Sequence, residues 1–91
     1  MPDISSAGTY TKDTAGYGFL RAQGGGRVLL FAGSSIGTSV DIQYTDDQGT
    51  DRTVENGSIT VLPTSVYIRS LNQDLKIVVT GTPNFNVSSP N

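Results

Sequence analysis

The chain has 91 residues, 35% of them hydrophobic, with a formal net charge of −2 and a pI near 4.6. This length suits one small domain, and the scattered basic residues form no phosphate-tracking stripe, so we expect no nucleic-acid partner. Cysteine and histidine are both absent, which removes disulfides, thiolate metal sites and the commonest general base.

The first segment, residues 1–16, consists mostly of Ser, Thr, Gly, Ala and Asp. Ile4 and Tyr10 are its large apolar side chains, so it buries little surface by itself. We predict a flexible N-terminal arm over 1–16, either disordered or ordered on a partner through Ile4 and Tyr10, ahead of a β domain over 17–91. Neither a signal peptide nor a membrane span is recognisable, so we expect synthesis in a cytoplasm and no membrane partner.

Residues 17–22 and 27–32 are predicted to form two strands joined by a glycine-rich tip, Gly24-Gly25-Gly26. Successive glycines supply the positive φ of a hairpin turn. A phosphate-binding loop would also need Gly-Lys-Ser/Thr leading into a helix. We therefore interpret these glycines as a hairpin tip that is available for contacts.

From Thr38 to Thr80 apolar and polar residues alternate. Because side chains on a strand alternate faces, a period of two predicts half-buried antiparallel strands. The pattern assigns the large apolar residues of this stretch to the core: Val40, Ile42, Tyr44, Ile59, Val61, Val66, Ile68, Leu75, Ile77 and Val79.

The loop after Tyr44 can be assigned by parity, because facing residues of an antiparallel pair share one side of the sheet. A five-residue loop, Asp46–Thr50, places Tyr44 opposite Arg52 and Ile42 opposite Val54, which keeps the apolar residues together. A bulge at Gly49 would have the same effect.

Asn56-Gly57 favours a type I′ hairpin turn and predicts that Val54 lies opposite Ile59 and Arg52 opposite Val61. Pro63 cannot donate to a ladder, so residues 62–65 are interpreted as an arch between two sheets. Residues 71–74 are then predicted to close a hairpin between strands 66–70 and 75–80, and a last strand follows at 85–88. About seven short strands predict an all-β fold, a small antiparallel, jelly-roll-like β-sandwich.

The acidic residues Asp46, Asp47, Asp51 and Glu55 lie close in sequence. They lack the alternate carboxylates and terminal glutamate of a calcium loop, and aspartates favour turns by bonding their own backbone. A turn is the preferred interpretation, with a weak surface calcium site as the alternative. No spacing places two carboxylates around a cleft, so we predict no catalytic, cofactor or metal site and no enzyme.

Tyr67 and Arg69 share the side of their strand opposite Val66 and Ile68. With Val78 they are predicted to form an outer contact patch, because Tyr and Arg are enriched at protein interfaces. The alternative is a carbohydrate-binding platform built from Tyr17 and Tyr67.

The sequence resembles the small virion proteins of tailed bacteriophages, meaning capsid decoration (cement) proteins and β-sandwich head or tail accessory proteins. The resemblance rests on the Ser/Thr/Gly-rich start, the absence of Cys and His, and the segments Thr38–Gly49, Leu62-Pro63 and Leu75–Gly81. It implies a non-enzymatic structural protein of a virion assembled in the host cytoplasm, with the major capsid protein or other virion proteins as partners and many copies or a homo-oligomer on one particle.

The predicted contact residues follow from these interpretations. They are Ile4 and Tyr10 of the arm, Gly24, Gly25 and Gly26 of the glycine tip, and Tyr67 with Arg69. The alternative function is a β-sandwich module that binds a carbohydrate or a host surface.

Overall fold

The computed structural model describes residues 3–22, 26–68 and 73–89. Eight strands lie in these ranges: β1 Asp3–Ile4, β2 Gly8–Thr11, β3 Arg27–Ser35, β4 Ser39–Thr45, β5 Asp51–Ile59, β6 Thr64–Ile68, β7 Leu75–Thr80 and β8 Asn84–Ser88. A single turn of 3-10 helix, Gly18–Leu20, lies between β2 and β3.

The strands form two four-stranded antiparallel sheets, in the orders β1-β8-β3-β6 and β2-β7-β4-β5. The first strand pairs with the eighth, the second with the seventh, the third with the sixth and the fourth with the fifth. This pairing is that of an eight-stranded jelly roll. The predicted all-β antiparallel sandwich is confirmed.

The core lies between the two sheets and draws on every strand except β2, whose Tyr10 is only partly buried against it. Its buried apolar side chains alternate with outward-facing residues, as the pleat requires. They are Ile4, Tyr17, Leu20, Leu29, Phe31, Val40, Ile42, Ile59, Val66, Ile68, Leu75, Ile77, Val79, Phe85 and Val87.

The N-terminal segment differs from the expected flexible arm. Strand β1 pairs with β8, placing Ile4 opposite Phe85, and β2 pairs with β7, placing Tyr10 opposite Ile77. The segment therefore contributes one edge strand to each sheet. The polar composition of the segment suggested an arm. The local sequence does not reveal its partners, because β7 and β8 lie far away along the chain.

Residues 17–22 do not form the predicted strand. The 3-10 helix places Tyr17 and Leu20 three residues apart, and both side chains are buried, since positions i and i+3 share one face of a 3-10 helix. The hairpin expected between 17–22 and 27–32 is therefore wrong. Its predicted tip residues Gly24 and Gly25 lie outside the described residues.

The β4–β5 register agrees with the prediction only near the loop. Tyr44 lies opposite Arg52 as expected, but the regular register shifts between Asp41 and Gln43. Asn56-Gly57 forms no hairpin, because both residues lie inside β5, which continues until Ile59 pairs with Val40. The positive φ of Asn56, 60°, serves a bulge instead.

Gly57 explains how the bulge packs. A Cβ at residue 57 would lie 2.9 Å from the Ile42 carbonyl oxygen and 2.6 Å from Val54 Cγ2. The two backbones therefore approach too closely for a side chain at this position. The predicted pairs Ile42 with Val54 and Val54 with Ile59 are not formed.

The chain changes sheet twice between β5 and β7. The first change, over residues 60–63, confirms the predicted arch between the sheets but not its bounds, since Thr64 and Ser65 belong to β6. The sequence did not predict the second change, in which β6 pairs with β3 whereas β7 pairs with β4 and β2. The expected hairpin between 66–70 and 75–80 is therefore wrong, and Tyr67 and Val78 lie in different sheets. Val61, which was expected in the core, is 67% exposed.

Candidate functional site

The outer side of the β1-β8-β3-β6 sheet carries an uncharged surface, which we call the Tyr67 patch. It consists of Val28, Leu30, Ser65, Tyr67 and Ser88. The backbone pairing makes it contiguous, because Val28 lies opposite Tyr67, and Leu30 lies between Ser65 on one side and Ser88 on the other.

Two large apolar side chains of the patch face solvent: Leu30 is 38% exposed and Tyr67 is 61% exposed. A lone exposed apolar residue is ordinary, but these two belong to adjacent strands and are flanked by small hydroxyl side chains. A tyrosine with an apolar body and a polar tip, beside an aliphatic side chain, is the composition that protein interfaces favour.

Gly26 determines how Tyr67 lies. A Cβ at residue 26 would lie 2.5 Å from the Tyr67 hydroxyl oxygen and 3.0 Å from two carbons of its ring. The ring therefore extends past the start of β3 in space that another residue would occupy. The structure thus brings together two of the predicted contact residues.

The outer side of the β2-β7-β4-β5 sheet, which we call the polar face, is cross-linked by hydrogen bonds and ion pairs. The Ser58 hydroxyl donates to Asp41 at 2.7 Å. Asp51 accepts from the Thr45 hydroxyl at 2.8 Å and pairs with Lys76 Nζ at 2.7 Å. The hydrogen bond from Lys76, followed by that from Thr45, lowers the pKa of Asp51.

The acidic loop forms the turn that the sequence favoured. One Asp46 carboxylate oxygen accepts the backbone N–H groups of Gln48 and Thr50, each at 2.9 Å, and the other accepts from Arg52 Nε at 2.6 Å. The bond from Arg52 is the main cause that lowers the pKa of Asp46, followed by the bond from Thr50. These carboxylates are already bonded within the loop.

Metal ligation has no support in the described parts of the chain, where no group of three acidic side chains is placed to hold an ion. The nearest acidic neighbours have other partners, since Asp47 accepts from the Gln73 amide at 3.4 Å and Asp51 pairs with Lys76. Nothing in this arrangement favours the calcium alternative.

The remaining predicted contact residues are distributed unevenly. Ile4 is 1% exposed in this chain's own core, so it is unavailable to a partner in this fold. Tyr10 is half-buried against the core, and its hydroxyl donates to the Ser6 carbonyl oxygen at 2.6 Å. Arg69, like Gly24 and Gly25, lies outside the described residues.

Sequence reasoning missed Val28 and Leu30 as surface residues. The signal was present, because Val28-Leu29-Leu30-Phe31 is a longer uninterrupted apolar run than those of the other strands. In a sandwich with one buried face per sheet, such a run must expose every second member. Leu29 and Phe31 are buried, and Leu30 faces outward.

A second missed feature is the aromatic cluster at the edge where β1 and β2 lie. The Tyr17 ring centroid is 5.3 Å from that of Tyr10 and 5.8 Å from that of Phe19. Tyr17 is 3% exposed, and its hydroxyl has no hydrogen-bond partner among the described residues. Burial, with smaller contributions from Tyr10 and Asp3, raises the pKa of Tyr17 to about 12.

The fold and the Tyr67 patch define the chain as a jelly-roll domain with one polar outer face and one partly apolar outer face. Comparison with protein-family models, with curated proteins and with solved structures found no match. Over the described residues, no helix has the length and apolar character needed to cross a membrane.

Proposed function

We propose that the chain is a non-enzymatic structural subunit of a tailed-bacteriophage virion, either a capsid decoration (cement) protein or a head–tail accessory protein. It would bind the major capsid protein or another virion protein in many copies and stabilise the particle. The observation that carries the proposal is the Tyr67 patch, an exposed Tyr67 and Leu30 on an uncharged stretch of sheet.

The patch suits binding by burial. Complete burial of a side chain such as Leu or Phe stabilises by about 1.5–3 kcal/mol, and tyrosines are frequent among the residues that dominate interface energies. Such a contact is weak for one copy. Repetition over the symmetric surface of a particle would raise the overall binding through multivalency.

The architecture adds support of a weaker kind. The eight-stranded jelly roll is used by viral capsid proteins and also by lectins, and one fold hosts many functions. The fold therefore agrees with a virion role, whereas the surface supplies the argument for binding.

The test is reconstitution on particles. Virions of the phage that encodes the chain are purified and searched for it by mass spectrometry, and particles lacking it receive the purified protein. We expect the chain in purified virions and restored resistance of the particles to heat. Absence of the chain from purified virions, or particles equally stable without it, would contradict the proposal.

A carbohydrate-binding module is the second candidate. Tyr67 favours it, because an exposed aromatic face can stack on a sugar and the neighbouring Ser65 offers a hydroxyl. Glycan-array binding that disappears in Tyr67→Ala, together with absence from virions, would select this function over the first.

A further inference from the structure

The four edge strands of the sandwich differ in how they are protected against pairing with another chain. Folded proteins guard exposed edges with short strands, bulges, charges or glycine and proline. Strand β1 has two residues, and β2 has four, one of them Gly8 with φ 154°. Strand β5 carries the bulge at Gly57 together with Asp51 and Arg52.

Strand β6 lacks these devices. Its five residues, Thr-Ser-Val-Tyr-Ile, include no charge, glycine or proline, and β-branched or aromatic side chains occupy four of the positions. Among the described residues β3 is its one partner strand, so every second backbone N–H and C=O points away from the sheet. Pro63 directly precedes it and limits the ladder at that end.

We propose that β6 pairs with β6 of a second copy of this chain, antiparallel and centred on Val66, which joins the two β1-β8-β3-β6 sheets into one. This inference rests on the proposed function in one respect: on a particle, the β6 pairing would be the contact between neighbouring copies. The contact itself forms in the isolated protein.

The parity of the strand makes β6 complementary to itself. Facing residues of an antiparallel pair share one side of the sheet. With Val66 opposite Val66, Thr64 lies opposite Ile68 on the inner side and Ser65 lies opposite Tyr67 on the outer side. The inner side then continues the core, and the outer side joins two Tyr67 patches into one surface.

Charge and composition favour a second copy over an unrelated strand. Each chain carries a net charge of −2, yet residues 64–68 contribute none of it, so two copies meet there without facing like charges. A small residue, Ser65, faces the large Tyr67, which avoids a clash between two tyrosine rings.

The dimension of the contact predicts its strength. Five residues of strand extend about 17 Å, which gives an interface well below the roughly 800 Å² per partner of a stable complex. We therefore expect a weak, concentration-dependent dimer of the free chain. Repetition on a particle would strengthen it.

The test measures self-association by analytical ultracentrifugation over a range of concentrations, without particles. Ser65→Lys with Tyr67→Lys places like charges opposite each other in the proposed register, and we expect weakening by roughly 100-fold. Ser65→Lys with Tyr67→Glu places opposite charges there and is expected to restore the dimer. Thr9→Lys on β2 is the control on another edge strand, and circular dichroism checks that each variant folds.

Hydrogen exchange of the unmodified chain provides a measurement that needs no variant. We expect amides of β6 to become more protected as concentration rises, while those of β2 do not. A chain that stays monomeric, or a doubly lysine-substituted variant that associates like the original, overturns the inference. If the β6 dimer is absent but the chain still binds particles, the inference fails and the proposed function stands. If the chain dimerises but does not bind particles, the proposed function fails and the inference stands.

Discussion

The two outer faces of the sandwich differ although the sheets behind them are alike. Each sheet has four antiparallel strands and a buried inner side. The polar face is held by the ion pair of Asp51 with Lys76 and by the hydrogen bond of Ser58 with Asp41, whereas the Tyr67 patch exposes Leu30 and Tyr67. The stability of the core requires only that the inner sides of the sheets pack together, so the residues of the outer sides can differ and can have different functions.

The two faces also differ in whether their side chains already have partners within the chain. Asp41 and Asp51 of the polar face have partners within the chain, and their bonds are exposed, so each contributes little to stability. The apolar side chains of the Tyr67 patch have surface that becomes buried only when something else covers it. This contrast is the reason to place binding on one face and not on the other.

The largest expected effect concerns the inner sides, where the sheets should be equivalent. Phe31→Ala in one sheet and Ile42→Ala in the other each remove a fully buried side chain. We expect each to lower the free energy of unfolding by about 3–5 and 2–5 kcal/mol respectively, measured by urea denaturation. A loss near zero at either position would show that its sheet does not share the core.

The next effect separates the outer faces. Tyr67→Ala is expected to weaken particle binding by about 2 kcal/mol, roughly 30-fold, with little change in stability because the side chain is mostly exposed. Thr53→Ala, an exposed residue of the polar face, is the matched control and should bind normally. Titration calorimetry or pull-down with particles measures both, and equal losses would erase the distinction between the faces.

Tyr17→Phe tests the aromatic cluster at the edge where β1 and β2 lie. The buried hydroxyl of Tyr17 has no partner among the described residues, so removing it should raise the free energy of unfolding by about 1 kcal/mol. Because folding raises the pKa of Tyr17 from 10.0 to about 12, the folded state holds this proton more tightly, and stability should fall as pH rises from 10 toward 12. Thermal melts of both proteins check this, and an unchanged alkaline profile in Tyr17→Phe would contradict it.

A smaller effect is expected for the polar face in acid. Folding lowers the pKa values of Asp46 and Asp51 below their ordinary 3.8. Their stabilisation is therefore present above that pH and is lost as pH falls through the lowered values. Asp51→Asn should flatten the acid limb of the stability profile, and added salt should reduce the difference. Identical acid limbs for Asp51→Asn and the unmodified chain in low salt would show that the ion pair of Asp51 does not stabilise the fold.

The smallest effect tests the position of Tyr67. Gly26→Ala would push the ring from its place, and we expect a few-fold loss of particle binding with stability nearly unchanged. Gly18→Ala, where a Cβ meets open space, is the control. Equal binding by both variants would mean that the orientation of the ring is unimportant.

Much of the strand pattern was predictable from local sequence. Alternation located β4, β6 and β7, the loop at Asp46–Thr50 gave the pairing of Tyr44 with Arg52, and Pro63 marked a change of sheet. In each case the information lies within a few residues of the feature.

The order of the strands was not predictable in the same way. Parity predicts which residues share a face, but it does not say which strand is the neighbour, and a jelly roll pairs β1 with β8 and β2 with β7. These pairs have no turn between them to signal the contact. The assumption that consecutive strands form hairpins therefore failed for 17–32 and for 66–80, and it left residues 3–11 without partners.

The candidate surface was predictable in part. Tyr67 was identified from alternation, whereas its neighbours Val28 and Leu30 come from β3, which pairs with β6 across more than thirty residues of chain. The pairing of distant strands thus assembles a surface from residues that look unrelated in sequence.

Hydroxyl-radical footprinting of the free and the particle-bound chain would locate the binding surface directly. If binding uses the Tyr67 patch, Tyr67 and Leu30 lose reactivity on binding, while Lys76 and Val78 of the polar face keep theirs. Protection of Lys76 and Val78 with Tyr67 unchanged would contradict binding through the Tyr67 patch.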